Sequence, residues 1–254
     1  MQQETSDQLR DATGRGKLPA LVDRLGRDVA GGVYRQGEPL PAEPELGLLH
    51  QASRSVVREA VKTLAAKGLL RVGPRTGTVV NPMERWSLLD PAVLGWMVCG
   101  GAHRPLFGAI DEVRYLIEPQ AAALAAERAG PQDLQRLRTA FAAMQSAATE
   151  GDRQAAIRAD KAFHLAILEA TGNPVLRAFD AAVGAMLDIL FREAVDHIGG
   201  FRDNLFRHAE VLEAIATRKP SEASFAMQRL IGFTRENMQR AGLYEPQDHK
   251  GETQ

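Results

Sequence analysis

The sequence predicts a mainly α-helical chain in two parts: three helices and a β-hairpin, then an all-α bundle of six to seven helices. Three observations predict it. Apolar residues recur at helical spacing through most of the 254 residues. Only two short β-prone runs, Leu69–Val72 and Thr78–Val80, interrupt that pattern. Beyond His103 strand signals are scarce and alanine is abundant.

The elements follow in order. From Leu21 to Val33 the apolar set Leu21, Val22, Leu25, Val29 and Val33 marks the first helix. Gly37-Glu-Pro-Leu-Pro breaks it, and Glu43 to His50 reads as a short second helix. Ser53 is a good N-cap for a third helix from Arg54, lined by Val57, Val61, Leu64 and Ala65 and ended by Gly68. The two β-prone runs then flank Gly73-Pro-Arg-Thr-Gly77, a turn with glycine at both ends. Helix, helix, helix, hairpin in about 80 residues is a winged helix-turn-helix, whose third helix suits the DNA major groove. Residues 83–102 form an apolar, aromatic connector with a short helix from Asp90-Pro91, in which Cys99 is expected to be a small buried hydrophobe. Six helices are expected at about 104–129, 131–149, 152–171, 174–196, 202–217 and 219–241.

Composition bounds the function. There are 31 Lys and Arg against 32 Asp and Glu, with 44% hydrophobic residues, as in an ordinary globular protein. A single cysteine excludes a disulfide framework. With no apolar signal region and no membrane-length apolar run, a cytoplasmic location is expected. The near-zero net charge hides an asymmetry: residues 1–82 carry +3 and residues 83–254 carry −4. Between residues 50 and 80, Arg54, Arg58, Lys62, Lys67, Arg71 and Arg75 stand against Glu59 alone. Such a run is compatible with a solvated face or with a phosphate-binding footprint. Its register with the N-cap, the apolar stripe and the hairpin favours DNA, with Arg54, Ser55 and Arg58 on the third helix and Arg75 at the wing tip. Guanidinium groups grip phosphate or the guanine edge in bidentate fashion.

Three constellations in the helical half have chemical potential. Asp160 and His164, at i and i+4, share a helix face and could hold a divalent metal or simply hydrogen-bond each other. His208 adjoins the apolar set Leu205, Val211, Leu212 and Ile215, as a core histidine or as a contributor to the same cavity. Arg114 and Glu118 are again i and i+4, the spacing of an ordinary helix salt bridge. A metal hydrolase fused to a DNA-binding module is a poor alternative, because no separate nucleophile or acid–base set accompanies these groups.

Taken together, Leu40-Pro-Ala-Glu-Pro-Glu-Leu46, Ala52-Ser-Arg-Ser-Val-Val-Arg-Glu-Ala60, Leu64-Ala-Ala-Lys-Gly-Leu69 and Arg75-Thr-Gly-Thr-Val79 resemble the GntR family of bacterial transcriptional regulators. Glu112–Pro119, Asp160–His164, Thr171–Pro174 and His208–Ile215 resemble the ligand-binding (FCD) domain of its FadR subfamily. The connector, Asn81–Asp90 followed by Val93–Trp96, is similar to that of galactonate-operon repressors.

The resemblance implies a homodimeric, non-enzymatic regulator that binds a pseudo-palindromic operator in double-stranded DNA. It implies a repressor of a sugar-acid operon, released by an aldonate such as galactonate. A metal-responsive regulator, or one responsive to lactate, pyruvate or gluconate, is the alternative. The implied organisation is a flexible tail at 1–18, a DNA-binding domain at 19–82, a connector at 83–102, an effector-binding domain at 103–243 and a flexible tail at 244–254. DNA contacts fall on Arg54, Ser55, Arg58, Arg75 and Gly77. Effector contacts fall on Arg114, Asp160, His164 and His208, the last three doubling as ligands for one divalent metal, zinc by ligand type, unless the pocket is metal-free. Two positions depart from the family pattern: Pro44 stands where many relatives carry arginine, and Leu230 where many carry a further histidine.

Overall fold

A computed structural model describes residues 16–74, 76–99, 103–194, 202–240 and 242. The chain divides into two compact units, Met1–Ala102 and His103–Gln254. The expected tail at 244–254 and most of that at 1–18 lie outside the described residues, as does Arg75.

The first unit contains α1 (Lys17–Ala30), α2 (Glu43–Leu49), α3 (Arg54–Ala66), β1 (Leu70–Gly73), β2 (Gly77–Val80), a 3-10 turn (Met83–Arg85) and α4 (Pro91–Cys99). Its core brings Leu21, Leu25 and Val29 of α1 onto Val57, Val61 and Leu64 of α3, with Leu46 of α2 beside them. Helix α1 stops at Ala30 because Gly31 and Gly32 (φ +75°) follow. Val33, expected on its apolar face, is therefore 69% exposed.

The hairpin is antiparallel, pairing Leu70 with Val80 and Gly73 with Gly77. The segment before α2 closes its outer edge: Leu40 N–H donates to the Thr78 carbonyl (2.8 Å) and Val80 N–H to that of Glu38 (3.0 Å). The proline-rich break thus lies along the wing rather than wandering as loop. After the wing the chain returns to the end of α3. Asn81 donates to the Gly68 carbonyl (2.8 Å) and Trp86 Nε1–H to the Asn81 carbonyl (3.0 Å).

The connector is largely structured. Asp90 caps α4 through the Ala92 and Val93 amides and pairs with Lys67. Trp96 lies over Gly26 of α1, and its indole N–H donates to Asp23 (2.8 Å). Glycine is required at position 26, since a Cβ there would stand 2.4 Å from the indole ring. Cys99, expected to be buried, is exposed, because it ends α4 beyond the buried run Trp96–Val98.

The second unit consists of α5 (His103–Arg128), α6 (Pro131–Glu150), α7 (Arg153–Ala170), α8 (Pro174–Arg177), α9 (Asp180–Ala194), α10 (Arg202–Ala216) and α11 (Pro220–Arg240). The helix expected at 174–196 is two helices. Phe179 N–H donates to the Leu176 carbonyl (3.0 Å), tightening the chain into a turn that packs Phe179 against the core. No glycine or proline marks that break, so packing has overridden propensity. Helices α5 with α11, α6 with α7, and α10 with α11 form the main packed pairs. Small residues on α5 (Ala121, Ala122, Ala125 and Ala126) admit neighbours closely, and Phe163, Leu187, Met227 and Ile231 fill the space between. Arg218 donates to the Ala126, Glu127 and Ala129 carbonyls, satisfying the C-terminal end of α5.

Candidate functional site

In the first unit, Ser53 begins α3 by accepting from the Val56 amide (3.4 Å), and its hydroxyl meets that of Ser55 at 3.0 Å. Arg54, Ser55 and Arg58 are exposed, opposite the buried face of Val57, Ala60, Val61 and Leu64. Of the basic run, Arg58 pairs with Glu43 (3.3 Å), Lys62 with Glu59 (2.8 Å) and Lys67 with Asp90. Glu43 and Asp90 lie outside the window counted in the sequence and are supplied by the fold. Arg54 and Arg71 have no ion-pair partner among the described residues. Gly77 adopts φ +66° where the wing strand β2 begins and is exposed. Pro44 sits in the first turn of α2, where its missing N–H costs nothing.

In the second unit, three helices bring five polar side chains into the core. Helix α5 supplies Arg114 and Glu118, α7 supplies Asp160 and His164, and α10 supplies His208. All five are buried. Arg114 holds Glu118 with two nitrogens, Nε to Oε1 at 2.6 Å and Nη2 to Oε2 at 3.4 Å. Glu118 Oε2 lies 2.6 Å from His164 Nδ1. His208 Nε2 lies 3.0 Å from Asp160 Oδ1, and His164 Nε2 3.6 Å from Asp160 Oδ2. The imidazoles stand edge to face, 5.7 Å apart, with Phe163 beside both. Beyond Glu118, Asp111 of α5 is buried and pairs with Arg235 of α11.

The protonation states follow from this packing. Burial alone would push Glu118 up, but Arg114 and His164 outweigh it and hold the carboxyl at about 2. Burial also opposes ionisation of Asp160, and His208, His164 and Arg114 reverse this, so its pKa is lowered. Both carboxylates are therefore charged at neutral pH. His208 Nδ1 is 3.0 Å from the Asn204 carbonyl, which only accepts, so Nδ1 carries a proton. In the neutral ring the Nε2 lone pair then lies close to the Asp160 carboxylate, and the two repel unless a cation or a second proton intervenes.

This donor set suits a metal ion. Ligand atoms of Asp160, His164 and His208 lie within 4.8 Å of one another. Asp160 Oδ2 and His208 Nε2 are buried without a hydrogen-bond partner, and so is His164 Nδ1, which the Glu118 carboxylate approaches only off-axis. One carboxylate and two imidazoles are the mixture zinc favours, and three protein ligands leave coordination open. Leu230, where the family pattern has a further histidine, is a buried apolar residue of α11. A separate, open cleft of about 550 Å³ lies between α10 and α11. Its lining residues Phe206, Glu210 and Glu213 are on the face of α10 opposite His208.

Comparison with known proteins places the arrangement. The model for bacterial regulatory proteins of the gntR family matches residues 19–80, and the FCD domain model matches residues 109–233. The galactonate operon transcriptional repressor of Escherichia coli K12 is 33% identical over 216 residues, covering 85% of this chain and 93% of its own length. The chain belongs to the GntR family. It is a transcriptional regulator rather than an enzyme, with a DNA-binding helix-turn-helix unit and an all-helical FCD unit. A second relative, the HTH-type regulator YieP of E. coli K12, is 36% identical over 83% of this GntR chain and 90% of its own. Among solved structures, Streptococcus agalactiae GntR is 27% identical at a TM-score of 0.50, covering 86% of this chain and 99% of its own. The Listeria monocytogenes regulator Lar, 18% identical at a TM-score of 0.62, covers 88% and 96% and shares the fold. Among the described residues no helix is long and apolar enough to cross a membrane.

Of the residues singled out in the sequence, the fold brings Arg114, Asp160, His164 and His208 together and leaves Arg54, Ser55 and Arg58 exposed on one helix. Glu118 was visible only as the partner of Arg114, although it also reaches His164. Asp111 is marked in the sequence only by its spacing from Arg114 on one helix.

Proposed function

We propose that this GntR-family protein is a homodimeric repressor of a sugar-acid catabolic operon, released from its operator by an aldonate such as galactonate. The observation that carries the reading is the buried cluster of Arg114, Glu118, Asp160, His164 and His208. With neutral imidazoles it holds one positive and two negative charges, a net −1, and Asp111 is offset by Arg235. A bare carboxylate would be repelled, whereas a divalent ion on Asp160, His164 and His208 would reverse the sign. Such an ion would supply open positions for carboxylate and hydroxyl oxygens, as a 2-hydroxy acid offers. The sugar-acid class is supported by the likeness of the connector and by the galactonate repressor among the relatives.

On the DNA side, Arg54, Ser55 and Arg58 contact bases or phosphates in the major groove, and the wing at Arg75 and Gly77 contacts the flanking backbone. A dimer presents two such helices to a pseudo-palindromic site. The effector must bind the DNA-incompetent arrangement better, and by reciprocity operator DNA weakens effector binding by the same factor.

The test is a fluorescence-anisotropy titration on a duplex the protein enriches from a random library, with galactonate added with and without zinc. Release by galactonate supports the reading. Operator affinity indifferent to galactonate and other aldonates would overturn the effector class. Release by zinc or by chelation alone would favour a metal sensor, for which the same three ligands would suffice.

A further inference from the structure

Glu118 has no place in the ligand set, yet it is the most constrained carboxylate of the cluster. Arg114 grips both its oxygens, one of them 2.6 Å from His164 Nδ1, and all three side chains are 3% exposed. That carboxylate is off the axis of the ring nitrogen, so no well-formed hydrogen bond joins the two; its charge 2.6 Å away still disfavours a lone pair on Nδ1, and neutral His164 carries its proton there. The lone pair is then on Nε2, the nitrogen nearer Asp160. His208 is set in the same sense by a different device, the Asn204 carbonyl at Nδ1. Both rings thus carry their Nε2 lone pairs on the side of one carboxylate, each with its other nitrogen beside an oxygen, that of Glu118 or of the Asn204 carbonyl.

We propose that Glu118 is a positioning residue for the metal centre: pinned by Arg114, it fixes the tautomer of His164 and aims its Nε2 at the ion held with Asp160 and His208. This rests on the metal reading above and gives Arg114 and Glu118 a task within it. Arg114 acts through Glu118, not by gripping the effector alone. The positions are coupled by the helix itself, since Arg114 and Glu118 are one turn apart on α5 while His164 is on α7, so ligand geometry depends on the packing of these two helices.

The experiment measures zinc affinity of the full chain by competition with a chelator, and the visible spectrum of the cobalt-loaded protein. The proteins compared are wild type, Glu118→Gln and Asp160→Asn. Glu118→Gln should weaken zinc roughly 10- to 100-fold, the usual effect of removing a partner behind a ligating histidine, and should alter the cobalt bands. Asp160→Asn, which removes a ligand, should weaken zinc further. If the buried Arg114 charge unfolds Glu118→Gln, the double variant Arg114→Met/Glu118→Gln removes the pair as a unit and should show the same loss. Zinc affinity within twofold of wild type and unchanged cobalt bands, in either folded variant, would overturn the positioning role while leaving the metal reading intact. Failure of the wild type to bind zinc or cobalt would overturn that reading and the positioning role with it.

Discussion

Arg58→Ala tests the DNA-binding surface most directly. The side chain is 64% exposed and its one ion pair, to Glu43 at 3.3 Å, lies at the surface. A pair of that kind contributes about 0.2–1 kcal/mol. Arg58 lies off the face formed by Val57 and Val61, so truncation leaves no cavity. The melting temperature should therefore move by only a few degrees. An arginine contact to a base or phosphate is worth about 1–3 kcal/mol. Binding DNA requires Arg58 to leave Glu43, which offsets up to about 1 kcal/mol. A net loss of about 1–2 kcal/mol is about a 5- to 30-fold drop in operator affinity. Anisotropy titration on the enriched duplex between 50 and 200 mM salt, on the order of the range where counterion release dominates, measures it. A phosphate contact lowers the salt slope by about 0.9, whereas a base contact leaves the slope and relaxes preference at one position. Glu43→Gln should raise affinity modestly, since it frees Arg58 and removes an anion beside the phosphates. If Arg58→Ala binds with wild-type affinity, slope and sequence preference, α3 is not the reading helix.

Three further outcomes follow from the packing. Gly26→Ala places a Cβ 2.4 Å from the Trp96 ring, so Trp96 must yield together with its bond to Asp23. Urea unfolding should show a loss of roughly 1–3 kcal/mol, and unchanged stability would mean the indole does not lie there. Glu118 has its pKa lowered from 4.5 to about 2, so its contribution is complete above about pH 4.5 and is lost as pH falls through 2. A shift of that size amounts to about 3 kcal/mol. The pH profile of metal-free stability should flatten over that range in Arg114→Met/Glu118→Gln, and an unchanged profile would count against the buried pair. Zinc at roughly a hundred times its dissociation constant should stabilise the wild type by about 2.7 kcal/mol and Asp160→Asn by much less, as differential scanning calorimetry would reveal; equal stabilisation would place the ion elsewhere.

What the sequence disclosed depended on how local each signal was. Ser53, the stripe through Leu64 and the glycines of the wing turn are read within one element, and α3 and the hairpin lie where those residues place them. The Asp160–His164 spacing likewise marks one face of one helix. The turn at residues 178–179 has no local signature, because Phe179 is drawn to a core built by distant helices. Val33 and Cys99 depart from the expected pattern for a related reason. An apolar residue continues a periodic pattern on paper even after the backbone has turned, at Gly32, or passed its last packed position, at Val98.

Glu118 is the instructive case. Along the chain it is the i+4 partner of Arg114, and a surface helix pair of that spacing is worth only a few tenths of a kcal/mol. Burial changes its meaning. Inside the bundle an arginine–carboxylate pair alone would return little after desolvation, so a buried pair that only balances itself has no evident use. Here the carboxylate faces a third group, His164, across an interhelical contact that spacing along α5 cannot reveal. The helices fix where His164 can stand, and Arg114 and Glu118 decide which of its nitrogens is offered. The candidate donors were legible in the residue types, whereas their orientation exists only once α5 and α7 have packed.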